Sequence, residues 1–261
     1  MKINEYYRDT ANINLNGSIA ALVPTIMIIT INFSFVKNRE IMLYTIPFLM
    51  YSLISFQIYL YRMRQSITIS KNIAKSERIN QSLFEARHLL VMFMDTQPSR
   101  LHLYFSDGHL AGVIKKYRVN VWKRLRFLKT YALYNFDNEV LGFFIVKGRK
   151  SIKIEVYNRN KHLLGRLEKK NLGWRKSQKE LFDGFGRYVG SIEGSSVFMD
   201  EKVLDLSHQH VGRLRRGWMP LEWSQLFPEP NTPVLSFREV LSEDDKLLRM
   251  SFLINEYFIE R

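Results

Sequence analysis

The sequence predicts an α+β protein: an N-terminal transmembrane helical hairpin, a helical linker, then an antiparallel β-barrel that ends in a very apolar helix. Three observations predict it. Two long runs near the N-terminus carry no charge. A turn, apolar stretch and glycine recur five times between residues 104 and 214. The C-terminal end then changes from strand to helix patterning.

Ser18–Val36 is uncharged, and its 19 residues would span about 28 Å as a helix. Ile41–Tyr61 is also uncharged, with 21 residues and about 31 Å. Neither run has a polar face to turn to water, which argues against core helices. The first exceeds a signal-peptide h-region, and no small-residue cleavage site follows it. Pro24 and Pro47 lie inside the runs, where membrane helices tolerate them. Only Lys37, Asn38, Arg39 and Glu40 separate the two, so the helices must be antiparallel neighbours. Lys2, Arg8, Arg62, Arg64, Lys71, Lys75 and Arg78 flank the open end; Lys37 and Arg39 lie in the loop. That bias predicts a multi-pass cell-membrane protein with both termini and the barrel in the cytoplasm.

Residues 62–97 read as helical and in part amphipathic. Ile69, Ile73, Leu83 and Leu90 fall at roughly helical spacing, and Gln97-Pro98 closes the stretch. The expected organisation is a hairpin over 1–62, a helical linker over 63–97 and a barrel over 98–261.

From Leu101 onward, short runs rich in Val, Ile, Tyr and Phe alternate with turn residues. The repeated pattern places Gly112, Gly142, Gly165, Gly190 and Gly212 at spacings of 30, 23, 25 and 22 residues. Such periodicity marks a repeated supersecondary unit, too short for a propeller blade and suited to a closed antiparallel barrel. Asp107-Gly108 and Asp183-Gly184 suit hairpin turns that need positive φ. Each repeat glycine is expected at a bulge or bend. Ser242-Glu243-Asp244-Asp245 then reads as a helix start, a capping hydroxyl followed by acids at the positive dipole end. The helix that follows is apolar nearly all round, so it must be buried or in lipid.

Repeated hairpins closed by one apolar C-terminal helix resemble the tubby C-terminal-like superfamily, which includes the phospholipid scramblases and the LURP-one-related proteins. The resemblance covers roughly 98–261. It implies a barrel of about twelve strands wrapped around the C-terminal hydrophobic helix, with residues 243–258 inside. The N-terminal membrane hairpin is not part of that family's usual pattern.

The chain carries 39 Lys and Arg against 25 Asp and Glu, a net charge of +14. That excess favours anionic partners, either nucleic acid or a lipid surface. Having no cysteine removes disulfide scaffolds, thiolate metal sites and cysteine nucleophiles. The histidines form no recognised metal spacing, and neither a P-loop nor a GxSxG elbow occurs. The expectation is a non-enzymatic protein without cofactor or metal. His208 and His210 are expected on one strand face. Trp174 and Trp218 are read as barrel packing residues. Nucleic acid is disfavoured, because the chain shows none of the known recognition modules.

The basic segments point to the candidate site. Within Lys115–Lys129, Lys116, Arg118, Arg124 and Arg126 share one parity, opposite Val119, Val121, Leu125 and Phe127. On a strand this makes one cationic and one apolar face. Arg213, Arg215 and Arg216 add a second cluster. Together these seven are the expected anionic-ligand-binding residues. The expected partners are the membrane itself, anionic lipid headgroups and, as the alternative, a docked protein.

Overall fold

The computed structural model describes residues 2–74, 81–117, 129–148, 151–173, 176–195, 200–238 and 241–260. The chain forms two compact units, residues 1–76 and 77–261.

The first unit is a helical hairpin. Helix α1 (Ile3–Ile31) ends in a π-turn over Asn32–Val36. Lys37 takes a left-handed conformation, and α2 (Arg39–Met42) leads into α3 (Ile46–Ile73). The two long helices run antiparallel. Ser18 Oγ lies 3.0 Å from Ser52 Oγ, and Ser66 Oγ donates to the Asn4 carbonyl at 2.8 Å. The buried seam uses small residues, Ser18, Ala21, Thr25, Ser52 and Ser55, which let helices approach closely. Large apolar side chains such as Ile19, Val23, Ile26, Met50 and Leu53 point outward. Both helical stretches, Ile3–Val36 and Arg39–Ile73, are long and apolar enough to cross a membrane.

The second unit is a closed barrel of twelve antiparallel strands, in which β12 pairs with β1 and every other neighbour is consecutive in sequence. The strands are β1 (His88–Met94), β2 (Arg100–Tyr104), β3 (Leu110–Lys116), β4 (Lys129–Asn135), β5 (Val140–Lys147), β6 (Ile152–Asn158), β7 (Leu163–Gly173), β8 (Lys176–Asp183), β9 (Tyr188–Ser195), β10 (Asp200–Leu204), β11 (His210–Arg215) and β12 (Val234–Phe237). One expectation needs correction: His88–Met94 is a strand and not part of a helical linker. Its apolar run is buried on both faces, with Leu89 and Val91 in the core and Leu90, Met92 and Met94 also covered. A strand buried on both sides lacks the alternation that would identify it.

Helix α4 (Glu243–Arg249) is followed by α5 (Ser251–Ile254) and a π-turn over Asn255–Ile259. Ser242 caps α4 as expected, accepting from the Asp245 N–H at 3.2 Å. The helical segment fills the barrel: Leu247, Leu248, Met250, Phe252, Leu253, Ile254 and Tyr257 are buried with the inward side chains of the strands.

Five hairpins share one geometry. In each, the residue at or just past the end of the first strand bonds across the turn, as in Asn135 N–H to Glu139 O and Asp205 N–H to Gln209 O. The fourth residue takes positive φ: Gly108, Asn138, Lys161, Gly186 and His208. Two corrections follow. In the Asp183-Gly184 turn the left-handed residue is Gly186, because Asp183 opens the turn and its carboxylate caps the Phe185 and Arg187 N–H groups. His208 sits at the left-handed turn position and His210 begins β11, so the two do not share a strand face.

The register slips by one residue beside every repeat glycine. Leu103 pairs with Gly112, Leu133 with Gly142, Val156 with Gly165, Leu181 with Gly190 and Val203 with Gly212. These bulges bend the strands inward around the helix. A Cβ on Gly142 would lie 2.4 Å from Leu247 Cδ2, and one on Gly112 would lie 2.5 Å from Leu83 Cδ1. The glycines therefore clear space for side chains packed at that end of the barrel.

Candidate functional site

Strand order fixes which loops share an end. The five tight turns all lie at one end of the barrel, and the connections between hairpins lie at the other. The tight-turn end carries Asp107, Asp137, Glu139, Asp183 and Asp205 together with Arg159, Lys161 and Arg187. The opposite end receives the last residues of β3, β5 and β11: Lys116, Lys147 and Arg215. Arg118, Arg124 and Arg126 lie outside the described residues, in the connection from β3 to β4.

Lys116 does not sit on the outer wall. It shares the inward parity of Ile114, which is in the core, and it reaches the barrel mouth. There it lines a cavity of about 640 Å³ with Asp95, Thr96, Gln97 and Ser99. The floor is aromatic: the Phe93 and Tyr257 rings lie 5.7 Å apart, and those of Tyr131 and Phe258 lie 4.6 Å apart. Such a mouth can hold an apolar body beneath a charged or polar head.

The barrel interior also holds buried ion pairs. Lys179 of β8 pairs with Glu201 of β10 and with Glu256 of the central helix. Lys169 of β7 pairs with Glu260 just beyond that helix. Burial opposes the Lys179 ammonium, but the two carboxylates outweigh it and hold its pKa above the ordinary lysine value. Glu201 is raised too, but for a carboxyl that direction disfavours the charged form. Burial and the neighbouring Glu256 charge push it up to about 7, against the pull of Lys179. Two carboxylates sharing one ammonium cannot both be fully compensated.

The second cluster is separate. β12, β1 and β2 stand between β11 and β3 around the barrel. Leu214 faces the core, so Arg213 and Arg215 face outward. Arg213 grips Asp200 of the next strand through two hydrogen bonds of 2.8 and 2.9 Å. Those bonds hold the Asp200 carboxyl below its usual range and raise the Arg213 guanidinium. Lys147 and Lys153 are likewise engaged, with Glu155 at 2.6 Å and Glu168 at 3.0 Å. Arg215 lies over the Trp218 ring, 3.3 Å from its centroid, and Arg216 is exposed. Trp218 is 65% exposed, so it is not a packing residue. Trp174 lies outside the described residues. The seven expected residues thus split into a mouth lysine, an engaged arginine, two arginines beside an exposed tryptophan and three positions that are not described.

Among the described residues, no group of three or more His, Asp or Glu could hold a metal ion. The aromatic floor and the interior ion pairs were not foreseen. Their signal was the placement of Glu256 and Lys179 at inward positions of a helix and a strand, which becomes visible only once the register is known.

No family description and no curated protein matches this chain. Among solved structures, the X-ray structure of an Arabidopsis thaliana protein, AT5G01750, is similar at 13% identity. It covers 71% of this chain and all of that one, with a TM-score of 0.44.

Proposed function

We propose that the protein is a membrane-anchored, non-enzymatic barrel of the tubby C-terminal-like type. It binds or senses anionic lipid headgroups, or another anionic ligand, at the cytoplasmic face of the cell membrane. The observation that carries this reading is the placement of Lys116, Arg215 and Arg216 at the end of the barrel opposite the tight turns. The two membrane-length helices support it, because a tether raises the effective concentration of headgroups around the domain.

The test uses the full chain in neutral phosphatidylcholine nanodiscs, floated with vesicles containing phosphatidylglycerol. Co-flotation is expected, and it should weaken steeply with salt as the screening length shrinks to about 8 Å at physiological ionic strength. Each basic group near an anionic surface contributes about 1 kcal/mol, so Lys116→Glu, Arg215→Glu and Arg216→Glu together should abolish it. Binding that ignores both salt and the reversals would move the reading to a membrane-tethered protein-docking factor. Impermeant labelling of a cysteine placed at Glu193 tests orientation; labelling from outside intact cells would overturn the cytoplasmic assignment.

A further inference from the structure

We infer that Arg215–Leu221 is an interfacial anchor: Trp218 and Leu221 enter the headgroup region of an anionic leaflet, and Arg215 and Arg216 pair with its phosphates. This rests on the lipid reading above and names the part of the barrel that meets the bilayer.

The segment after β11 presents its apolar side chains to solvent. Trp218 is 65% exposed and Leu221 is 87% exposed. Residues 215–221 contain two arginines and no acid, and Glu222 follows in the next turn. Gly217 takes φ +74, turning the chain so that the Trp218 ring comes back under Arg215. The stacked guanidinium and the indole thus form one unit, cationic on one side and apolar on the other.

The remainder of the connection is held firmly. Leu226 and Phe227 are buried, and the Phe227 ring meets Tyr104 edge-on at 6.3 Å. Trp223 lies beside His88, with ring centroids 5.9 Å apart. A short 3-10 turn over Leu221–Gln225 is closed by Trp223 N–H to the Pro220 carbonyl and by Ser224 Oγ to the Leu221 carbonyl. The exposed pair therefore projects from a fixed base, and little ordering remains to oppose binding.

The occupant follows from composition. Tryptophan favours the membrane–water interface, leucine the acyl boundary, and paired arginines the phosphate layer. The same chain carries two helices of membrane length. The opposite end exposes apolar groups as well, Phe185 at 88%, Leu206 at 63% and Phe136 at 49%, and Arg187 lies over the Phe185 ring at 5.2 Å. There Arg187 is bound to Asp183 at 2.7 Å, so its charge is compensated, and Asp137, Glu139 and Asp205 lie in the neighbouring turns; that end offers an anionic leaflet no match for the Arg215 and Arg216 pair.

The test is site-specific quenching in the full chain reconstituted into liposomes. Trp122→Phe, Trp174→Phe and Trp223→Phe leave Trp218 as the reporter, with circular dichroism confirming the fold. In phosphatidylglycerol bilayers brominated near the headgroup, Trp218 should lose roughly half its emission, as expected for an indole at headgroup depth. The loss should shrink in phosphatidylcholine and after Arg215→Glu with Arg216→Glu. A reporter moved to the other end, Phe185→Trp with Trp218→Phe, should keep its emission. Absence of quenching at Trp218, or equal quenching at position 185, overturns the inference. If the vesicle co-flotation above persists in either case, the lipid reading stands and only the anchor fails; if co-flotation is also lost, both fail.

Discussion

Lys179 on β8 and Glu256 on the C-terminal helix form a buried ion pair of 2.6 Å, and the same ammonium also serves Glu201 on β10. The helix inside the barrel is therefore held by more than apolar contact. Its final turn is stitched to β7, β8 and β10 by charge, and to β1 and β4 by the Phe93, Tyr131, Tyr257 and Phe258 rings. Buried ion pairs add little net stability against an apolar replacement, but removing one partner is costly. That asymmetry fixes where the helix stops in the barrel.

The first prediction concerns pH. Glu201 and Glu256 share Lys179, and Glu260 occupies Lys169, so three carboxylates face two ammonium groups. Glu201 Oε2 has no hydrogen-bond partner among the described residues. Its pKa is raised from 4.5 to about 7, so the folded state holds the proton more tightly than the unfolded chain does. This contribution is fully present below about pH 4.5 and is lost as pH rises through about 7. Glu201→Gln mimics the protonated acid and should flatten that part of the stability profile. Urea unfolding of the full chain in neutral detergent, across pH 4 to 8, reads the change. Parallel profiles for the two proteins would refute it.

The second prediction concerns the notch at Gly142. A Cβ there meets Leu247 Cδ2 at 2.4 Å and the Tyr157 carbonyl at 2.9 Å. Gly142→Ala should destabilise by about 1–3 kcal/mol through overpacking. Leu247→Ala removes one of the two clashing groups, so the double variant should lose at least about 0.5 kcal/mol less than the sum of the singles. Strict additivity would mean that the helix does not pack into the bulge.

The order of elements was legible because the turns repeat. Five glycines at similar spacing announced hairpins, and Ser242 with three following acids announced the final helix. The strand parity of Lys116 was legible, but its direction was not. Inward or outward depends on which residues of β3 share the core with the helix, and Ile114 settles that only after folding. β1 was hidden for the opposite reason, since a strand covered on both faces looks like any apolar run. Parity alone puts the basic residues on an outward strand face, whereas the strand order puts Lys116, Lys147 and Arg215 at one end of the barrel, which only the closed topology reveals. Trp218 was misread because glycine before tryptophan gives no clue to whether the ring packs or projects.

The last prediction separates Arg213 from its neighbours. Its guanidinium is bound bidentately by Asp200, a charge-assisted geometry that is stronger than a single bond. Both side chains are about one-third exposed, so solvent screening limits the pair to under about 1 kcal/mol. Arg213→Gln should therefore cost little stability, and it should weaken vesicle co-flotation less than Arg216→Gln, because the charge it removes is already compensated. Asp200→Asn works in the other direction: it frees the Arg213 charge beside Arg215 and should strengthen co-flotation with phosphatidylglycerol vesicles. The Asp200 carboxyl lies below its ordinary range, so its stabilising contribution is present above about pH 3.8 and disappears in more acidic solution. The wild-type chain at neutral pH thus keeps Arg213 engaged, and only the substitution releases it. If Arg213→Gln lowers vesicle binding as much as Arg216→Gln does, the pair is not a neutralised unit, and Arg213 belongs to the binding surface.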